Sequence, residues 1–380
     1  MNPEGFKNFI LTLWLIPGVG PVKIKGAIEK AFSSSSLLQS KKLITDSSYD
    51  NVIRQLGNDR IKRSELDSLL NTELELMHGA GINFITYWCD EYPLLLKEIY
   101  SHPIVLFYKG DPSSLNKKGV AIVGSRKSST YAESSTRKII SEIKSYDANI
   151  PIVSGLAYGI DTTAHTAAIS SGAKTVAVLA NGLMNIYPRE NKNLADSIIA
   201  TGGCLVTELP GTARPLAVNF PLRNRIISGL SAVTLVMEAS EKSGSLITSR
   251  YALDQNREVY ALPGQINDTN FIGCNNLIQN SKAALLTSAE NFLYEIFPKN
   301  TQLLLVDSEE SNQAELIKEK PMPENETEAK IINLLSKGVM QEEIIGLQSK
   351  VAFNELMVVL AKLEMRNIVK RLNGGFWELS

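Results

Sequence analysis

Four kinds of residue in this chain have the types and spacing to do chemistry, and the stretch FPLRNRIISGLS, residues 220–231, holds the most conspicuous. It sets Arg223 and Arg225 two positions apart, ahead of the apolar pair Ile226 and Ile227. Guanidinium groups match phosphate oxygens in bidentate geometry, so the pair points to an anion. On a helix, however, residues two apart point about 200° away from each other, so both cannot face one phosphate. One arginine lines a rim and the other anchors a neighbouring loop or carboxylate; Arg223 is the rim candidate, and the assignment stays open. Other basic groups are Arg126, in GSRKSS, and Arg189 and Lys192, in IYPRENKNL. Small residues recur after short apolar runs: Gly124-Ser125, Ser154-Gly155, Asn181-Gly182, Ser243-Gly244-Ser245 and Pro263-Gly264. Such residues let backbone N–H groups approach an anion, and a following helix adds a favourable dipole. Tyr187 and Phe220 offer stacking faces. A basic, glycine-lined rim with aromatics nearby suits single-stranded nucleic acid, for which backbone charge and base stacking supply most of the affinity.

Asp161 and His165 lie four apart in GIDTTAH with Ser154 upstream, an arrangement that resembles acid–base equipment. No GxSxG elbow accompanies them, and an Asp at a helix start ordinarily caps it, so a structural Asp–His pair is expected. The sequence lacks GxxxxGK[ST], and no GxGxxG with a following acidic residue supports a dinucleotide. Cys89, Cys204 and Cys274 are far apart without CxxC, and His78, His102 and His165 have no ligand spacing. No catalytic residue, metal or cofactor is therefore assigned. The alternative is an enzyme acting on a nucleotide or nucleoside phosphate. It would need a carboxylate beside Ser243–Ser245, for which Glu238 and Glu241 are nearest.

The bulk numbers bound these readings. Of 380 residues 39 are basic and 40 acidic, a net charge of −1, so any nucleic-acid site must be a local patch. The length implies two or three domains, and 44% apolar content can bury a real core. The early run FILTLWLIPGVG is too short to span a bilayer and lacks a basic leader, so a cytoplasmic protein without membrane association is expected.

The elements that must carry the rim follow from periodicity. Residues 1–81 are helical, with a Pro17-Gly18-Val19-Gly20 turn of helix–hairpin–helix type, taken as a plain connection, and a serine loop at 33–36. From residue 119, buried β-branched runs alternate with helices through 264, which means βαβ units and a parallel sheet covered on both faces. Residues 82–118 add a lead-in strand or cap to this domain, 82–298. Residues 299–325 are acidic, polar and Pro-containing, a linker. Residues 326–380 contain three amphipathic helices and a hairpin pattern around Asn373-Gly374-Gly375, a winged helix in outline. Whether such a unit holds duplex DNA or protein stays open.

The series GSRKSSTYA, SGLAYGIDTTAH, AVLANGLMNIYPRENKNL, TELPG, FPLRNRIISGLS, EASEKSGSLITSRYALDQNREVYALPG and GCNNLIQ resembles the DNA processing protein A (DprA, or Smf) family over roughly residues 85–290. The resemblance implies an extended Rossmann-like α/β fold with helices on both faces. It also implies an N-terminal SAM-like or helix–hairpin–helix domain, a C-terminal winged-helix domain and a homodimer. The function implied is non-catalytic: binding single-stranded DNA that enters in natural transformation and loading the RecA recombinase. The family's DNA pocket maps onto Arg126 and onto Arg189 or Lys192. Two departures stand out: Met184 follows Gly182-Leu183 where the family usually has Asp, and Ser281-Lys282 replaces a Gly-Ala after LIQ.

Overall fold

The computed structural model describes residues 3–31, 46–56, 62–298, 325–336, 338, 340–349, 351–366, 368–372 and 376–379. The serine run at 33–36, the linker at 299–325 except its last residue, and the Asn-Gly-Gly turn at 373–375 lie outside the described residues. Two compact units emerge, 1–300 and 301–380.

The first unit opens with helices α1 (Pro3–Leu15), α2 (Pro21–Ala31), α3 (Asp46–Gln55) and α4 (Arg63–Ala80). Strand β1 (Asn83–Thr86), helix α5 (Leu94–Lys97) and strand β2 (Val105–Gly110) follow. The alternating region then supplies β3 (Gly119–Gly124), α6 (Thr130–Tyr146), β4 (Ile152–Ser154), α7 (Ile160–Ser171), β5 (Thr175–Val178), α8 (Lys192–Ala200) and β6 (Cys204–Thr207). It ends with α9 (Asn219–Gly229), β7 (Ser231–Glu238), α10 (Ser245–Asp254), β8 (Glu258–Ala261), α11 (Ile272–Gln279), β9 (Ala284–Leu285) and α12 (Glu290–Ile296).

These strands form one nine-stranded sheet in the order β1-β2-β6-β5-β4-β3-β7-β8-β9. Strands β3 to β9 run parallel, whereas β2 joins both β1 and β6 antiparallel. The lead-in segment is thus a two-stranded antiparallel extension of the sheet. Runs such as VAIV (120–123) and VTLVM (233–237) are buried throughout, as expected of parallel strands covered on both faces. One core lies around β3, β7, α6 and α7. A second joins Phe9 and Leu13 of α1 and Ile24 of α2 to Phe107 of β2, Leu205 of β6 and Ile198 of α8, so the N-terminal helices share their apolar interior with the sheet.

From β3 the chain builds the sheet outward through β4, β5 and β6, then returns to lay β7 on the other side of β3. The direction of winding therefore reverses between β3 and β7. In open α/β sheets that reversal leaves a crevice at the carboxyl ends of the strands.

The second unit contains α13 (Glu326–Leu335), whose N-cap Asn325 accepts a 2.8 Å bond from the Glu328 backbone, followed by β10 (Met340–Gln341), α14 (Glu342–Ser349) and α15 (Phe353–Met365). Strands β11 (Val369–Leu372) and β12 (Phe376–Leu379) complete an antiparallel sheet of order β10-β12-β11. Trp377, Ile331 and Leu360 are buried in its core. No described helix is long and apolar enough to cross a membrane.

Candidate nucleic-acid interface

A cleft of about 670 Å³ occupies the β3–β7 switch point. Its walls are the end of β3 and the loop after it (Gly124, Ser125, Arg126), the start of α9 (Phe220, Arg223) and the Ser243-Gly244-Ser245 turn that opens α10. Three of the small-residue and basic clusters expected at one rim are thus brought together.

The loop after β3 is braced from several sides. Ser125 Oγ donates to the Lys127 carbonyl at 3.0 Å and accepts from the Lys127 amide at 3.1 Å. Ser129 caps α6 and donates both its N–H (2.8 Å) and its Oγ–H (2.5 Å) to Glu238 Oε2. Gly159 adopts φ +72°, and a Cβ there would lie 2.2 Å from the Ser125 carbonyl oxygen, so only glycine fits beneath this loop. The brace leaves Arg126 exposed, with its guanidinium 5.4 Å from the Phe220 ring centre and without a hydrogen bond or ion pair among the described residues. Phe220 in turn meets Tyr187 edge-on at 5.6 Å.

Arg223 lines the same cleft from below and is only 6% exposed. Its Nη1 donates to the Gly155 carbonyl at 2.7 Å and to the Val178 carbonyl, tying α9 to the ends of β4 and β5. Burial lowers its pKa to about 10, opposed by Asp161 and reinforced by the like charge of Arg126. At neutral pH it stays protonated, so it adds positive potential to the cleft while its donors serve the scaffold. Gly155 lies directly under it, where a Cβ would sit 2.5 Å from Nη2.

Ser154 is fully buried and its Oγ donates to the Ile122 carbonyl at 2.6 Å, so its hydroxyl is turned into the sheet. Arg225, on the opposite side of α9, donates from Nη2 to Glu208 Oε2 at 2.6 Å and is 8% exposed. The helical argument for dividing the two arginines therefore describes the arrangement found.

Asp161 and His165 do not pair with each other, contrary to expectation. Asp161 Oδ2 accepts the Gly155 and Ala157 amides at 3.1 and 3.3 Å, holding the β4–α7 loop, while desolvation pushes its pKa up. His165 Nδ1 faces Thr175 Oγ1 at 2.7 Å. That hydroxyl donates to Ile152 O, so the imidazole is the donor; burial lowers its pKa to about 3. Of the carboxylates proposed for a nucleotide-cleaving site, Glu238 is engaged with Ser129, and Glu241 lines a separate groove.

The rim continues past Tyr187 and Pro215 into a groove of about 740 Å³ that holds Arg189, Lys192 and Arg214. Lys192 lies 3.5 Å from Asp196, an exposed pair of little strength. Asn191 Nδ2 donates to Leu156 O and Thr162 Oγ1, both at 2.9 Å, which fixes this segment against the start of α7. Met184, the departure from the Asp pattern, lines the groove. Arg214 was not anticipated: it is exposed in the loop between β6 and α9, outside the motif stretches, and only the fold brings it beside Arg189. Among the described residues no cluster of side chains suits a metal.

A family model for DNA recombination-mediator protein A matches residues 83–297. The chain is 40% identical over 261 residues to the DNA processing protein DprA of Bacillus subtilis, covering 66% of this chain and 86% of that protein. It is 45% identical over 206 residues to the Streptococcus pneumoniae protein of the same name, covering 54% and 71%. The X-ray structure of the pneumococcal DprA superposes with a TM-score of 0.63 at 34% identity, over 76% of this chain and 98% of that one. Helicobacter pylori DprA, whose structure is described for its single-stranded DNA binding mode, matches with a TM-score of 0.50 at 27% identity, over 56% and 94%.

Proposed function

Since this chain belongs to the DNA recombination-mediator protein A family, we propose that the cleft at its β3–β7 switch point binds single-stranded DNA, with Arg126 as the principal phosphate contact. The observation that carries this reading is the exposed Arg126 guanidinium, beside the Phe220 ring and without a hydrogen bond or ion pair among the described residues, in the cleft that the buried charge of Arg223 also lines. An anion between those arginines relieves their mutual repulsion, and an unstacked base lies against Phe220 or Tyr187. Gly124, Ser125, Ser243, Gly244 and Ser245 supply close approach; Arg189, Lys192 and Arg214 carry the strand onward. Ser154, Gly155 and Arg225 hold the scaffold.

The protein acts without catalysis or cofactor in the cytoplasm, as a homodimer that protects incoming single strands during natural transformation and loads RecA onto them. Residues 1–81 serve as a SAM-like or helix–hairpin–helix domain and 326–380 as a winged-helix domain.

The test is fluorescence anisotropy of a labelled oligothymidylate and a matched duplex across a salt series. Tight, salt-sensitive binding of the single strand, preferred over duplex and weakened in Arg126→Ala, supports the proposal. Unchanged affinity in that variant removes the pocket.

A further inference from the structure

A second feature, remote from the cleft, differs from it in chemistry. Strand β1 forms one edge of the nine-stranded sheet, and its last residue, Thr86, pairs with Val105, the first residue of β2. A groove of about 600 Å³ lies there, between the first turn of α1, the turn after β1 and the turn after β2. Its aromatic lining includes Phe6, Trp88 and Tyr108, and four carboxylates surround them: Glu4, Asp90, Glu91 and Asp111. Trp88 is half-buried and meets Phe6 edge-on at 6.0 Å. Lys7 is the one basic residue in the lining among the described residues; its Nζ lies 4.4 Å from the Phe84 ring centre and 3.9 Å from Glu4. Asp111 accepts from the Ser113 amide at 2.9 Å and the Ser113 hydroxyl at 2.8 Å, bonds that hold its carboxyl below the usual range.

Aromatic rings framed by carboxylates attract cations, because the ring face and the charges act in the same sense. The same charges repel a nucleic-acid backbone, so this groove and the basic cleft cannot share a ligand. A guanidinium, flat and weakly hydrated, stacks on an indole and reaches a carboxylate at once. We propose that this groove docks a basic segment of a partner protein, an extended peptide whose Arg or Lys side chain lies against Trp88 and whose charge is neutralised by Glu91 and its neighbours. The groove shares no lining residue with the cleft, and four strands separate β1 from β3, so the protein holds DNA and that partner together.

The probe is the labelled peptide acetyl-Gly-Arg-Leu-Arg-Gly-Arg-Gly-amide, titrated into the full-length chain at low salt, with a counterpart carrying Glu at each Arg position. Saturable binding of the Arg peptide alone is expected. Trp88→Ala and the surface change Glu91→Lys should each weaken it at least tenfold, about 1.4 kcal/mol. Glu91→Lys should keep its affinity for oligothymidylate, and Arg126→Ala should keep its affinity for the peptide. No saturation by about 1 mM peptide overturns the proposal. So does equal binding of both peptides, or Glu91→Lys indistinguishable from the parent. A loss of peptide binding in Arg126→Ala would place the contact in the cleft and equally refute it.

Discussion

Arg126 and Arg223 line one cleft, and exchanging each for methionine should produce opposite phenotypes. Methionine keeps an unbranched side chain but removes the charge and every donor. At position 223 the loss leaves the Gly155 and Val178 carbonyls without their buried donor. It also strips the fully desolvated Asp161 of the nearby positive charge. A buried acceptor left unsatisfied costs about 1–3 kcal/mol. Breaking a buried charge interaction from one side costs roughly 3–5 kcal/mol in all. With a urea m-value of about 3 kcal/mol/M, the midpoint should fall by roughly 1–1.7 M. At position 126 the guanidinium is exposed and, among the described residues, makes no hydrogen bond or ion pair, so the same assay should move by no more than about 0.5 kcal/mol. DNA binding should reverse the order. Loss of one charge-assisted phosphate contact at Arg126 costs about 1.5–3 kcal/mol. It should also flatten the log–log salt dependence by roughly 0.7 for a single strand. Arg223→Met, measured well below its unfolding transition, should retain that slope. An Arg126→Met protein with an unchanged salt slope refutes the division of roles, and so does an Arg223→Met protein with an unchanged urea midpoint.

Three further outcomes follow from the same geometry. Gly159→Ala forces a side chain into φ +72° and against the Ser125 carbonyl, costing about 1–3 kcal/mol; because that carbonyl belongs to the Arg126 loop, urea midpoint and DNA affinity should fall together, and a loss of only one contradicts the brace. Glu208→Ala leaves the buried Arg225 unpaired and should cost about 3–5 kcal/mol, whereas the double variant Glu208→Leu with Arg225→Met should recover most of it; a double-mutant cycle in urea decides. His165, held near pKa 3 by burial against the ordinary 6.5, stays neutral in the folded protein and takes up a proton on unfolding between those values, so stability present above pH 6.5 is lost as pH falls. At pH 5 this amounts to about 2 kcal/mol, and His165→Asn, which keeps a donor toward Thr175, should flatten the urea midpoint between pH 7.5 and 5; an unchanged pH dependence excludes His165 as its source.

The parallel sheet was legible because fully buried strands announce themselves as runs such as VAIV and VTLVM, and because each run ends in a small residue where a helix must begin. Helical geometry alone divided Arg223 from Arg225. It could not say which neighbour each would meet, because Glu208 lies 17 residues away in sequence and the Gly155 carbonyl 68. Ser154 shows the opposite failure: a small residue at a strand end suggested the rim, yet its side chain bonds the neighbouring strand. Arg214 carried no signal at all, since a lone arginine in a loop acquires meaning only when the chain brings it beside Arg189. The amphipathic faces of α1 and α2 were visible, but not that Phe107 and Leu205 of the sheet would complete their core.

The two arginines of the RNR motif explain why the proposed contact falls to a residue nearly a hundred positions earlier in the chain. A charged group that must fix β4, β5 and α9 has to direct its donors into the fold, where they meet carbonyls rather than solvent. Its charge still lines the cleft; burial is the main cause of its lowered pKa, and the like charge of Arg126 adds to the lowering. Arg126 has the complementary role of an exposed fork on a loop already braced by Ser125, Ser129 and Glu238. A contact held on a rigid loop loses little conformational freedom when an anion arrives, so more of its interaction appears as affinity. Conservative exchange should therefore be tolerated at neither arginine, for different reasons. Lysine at 126 offers a point charge in place of a planar fork, and lysine at 223 cannot hold two carbonyls with guanidinium geometry.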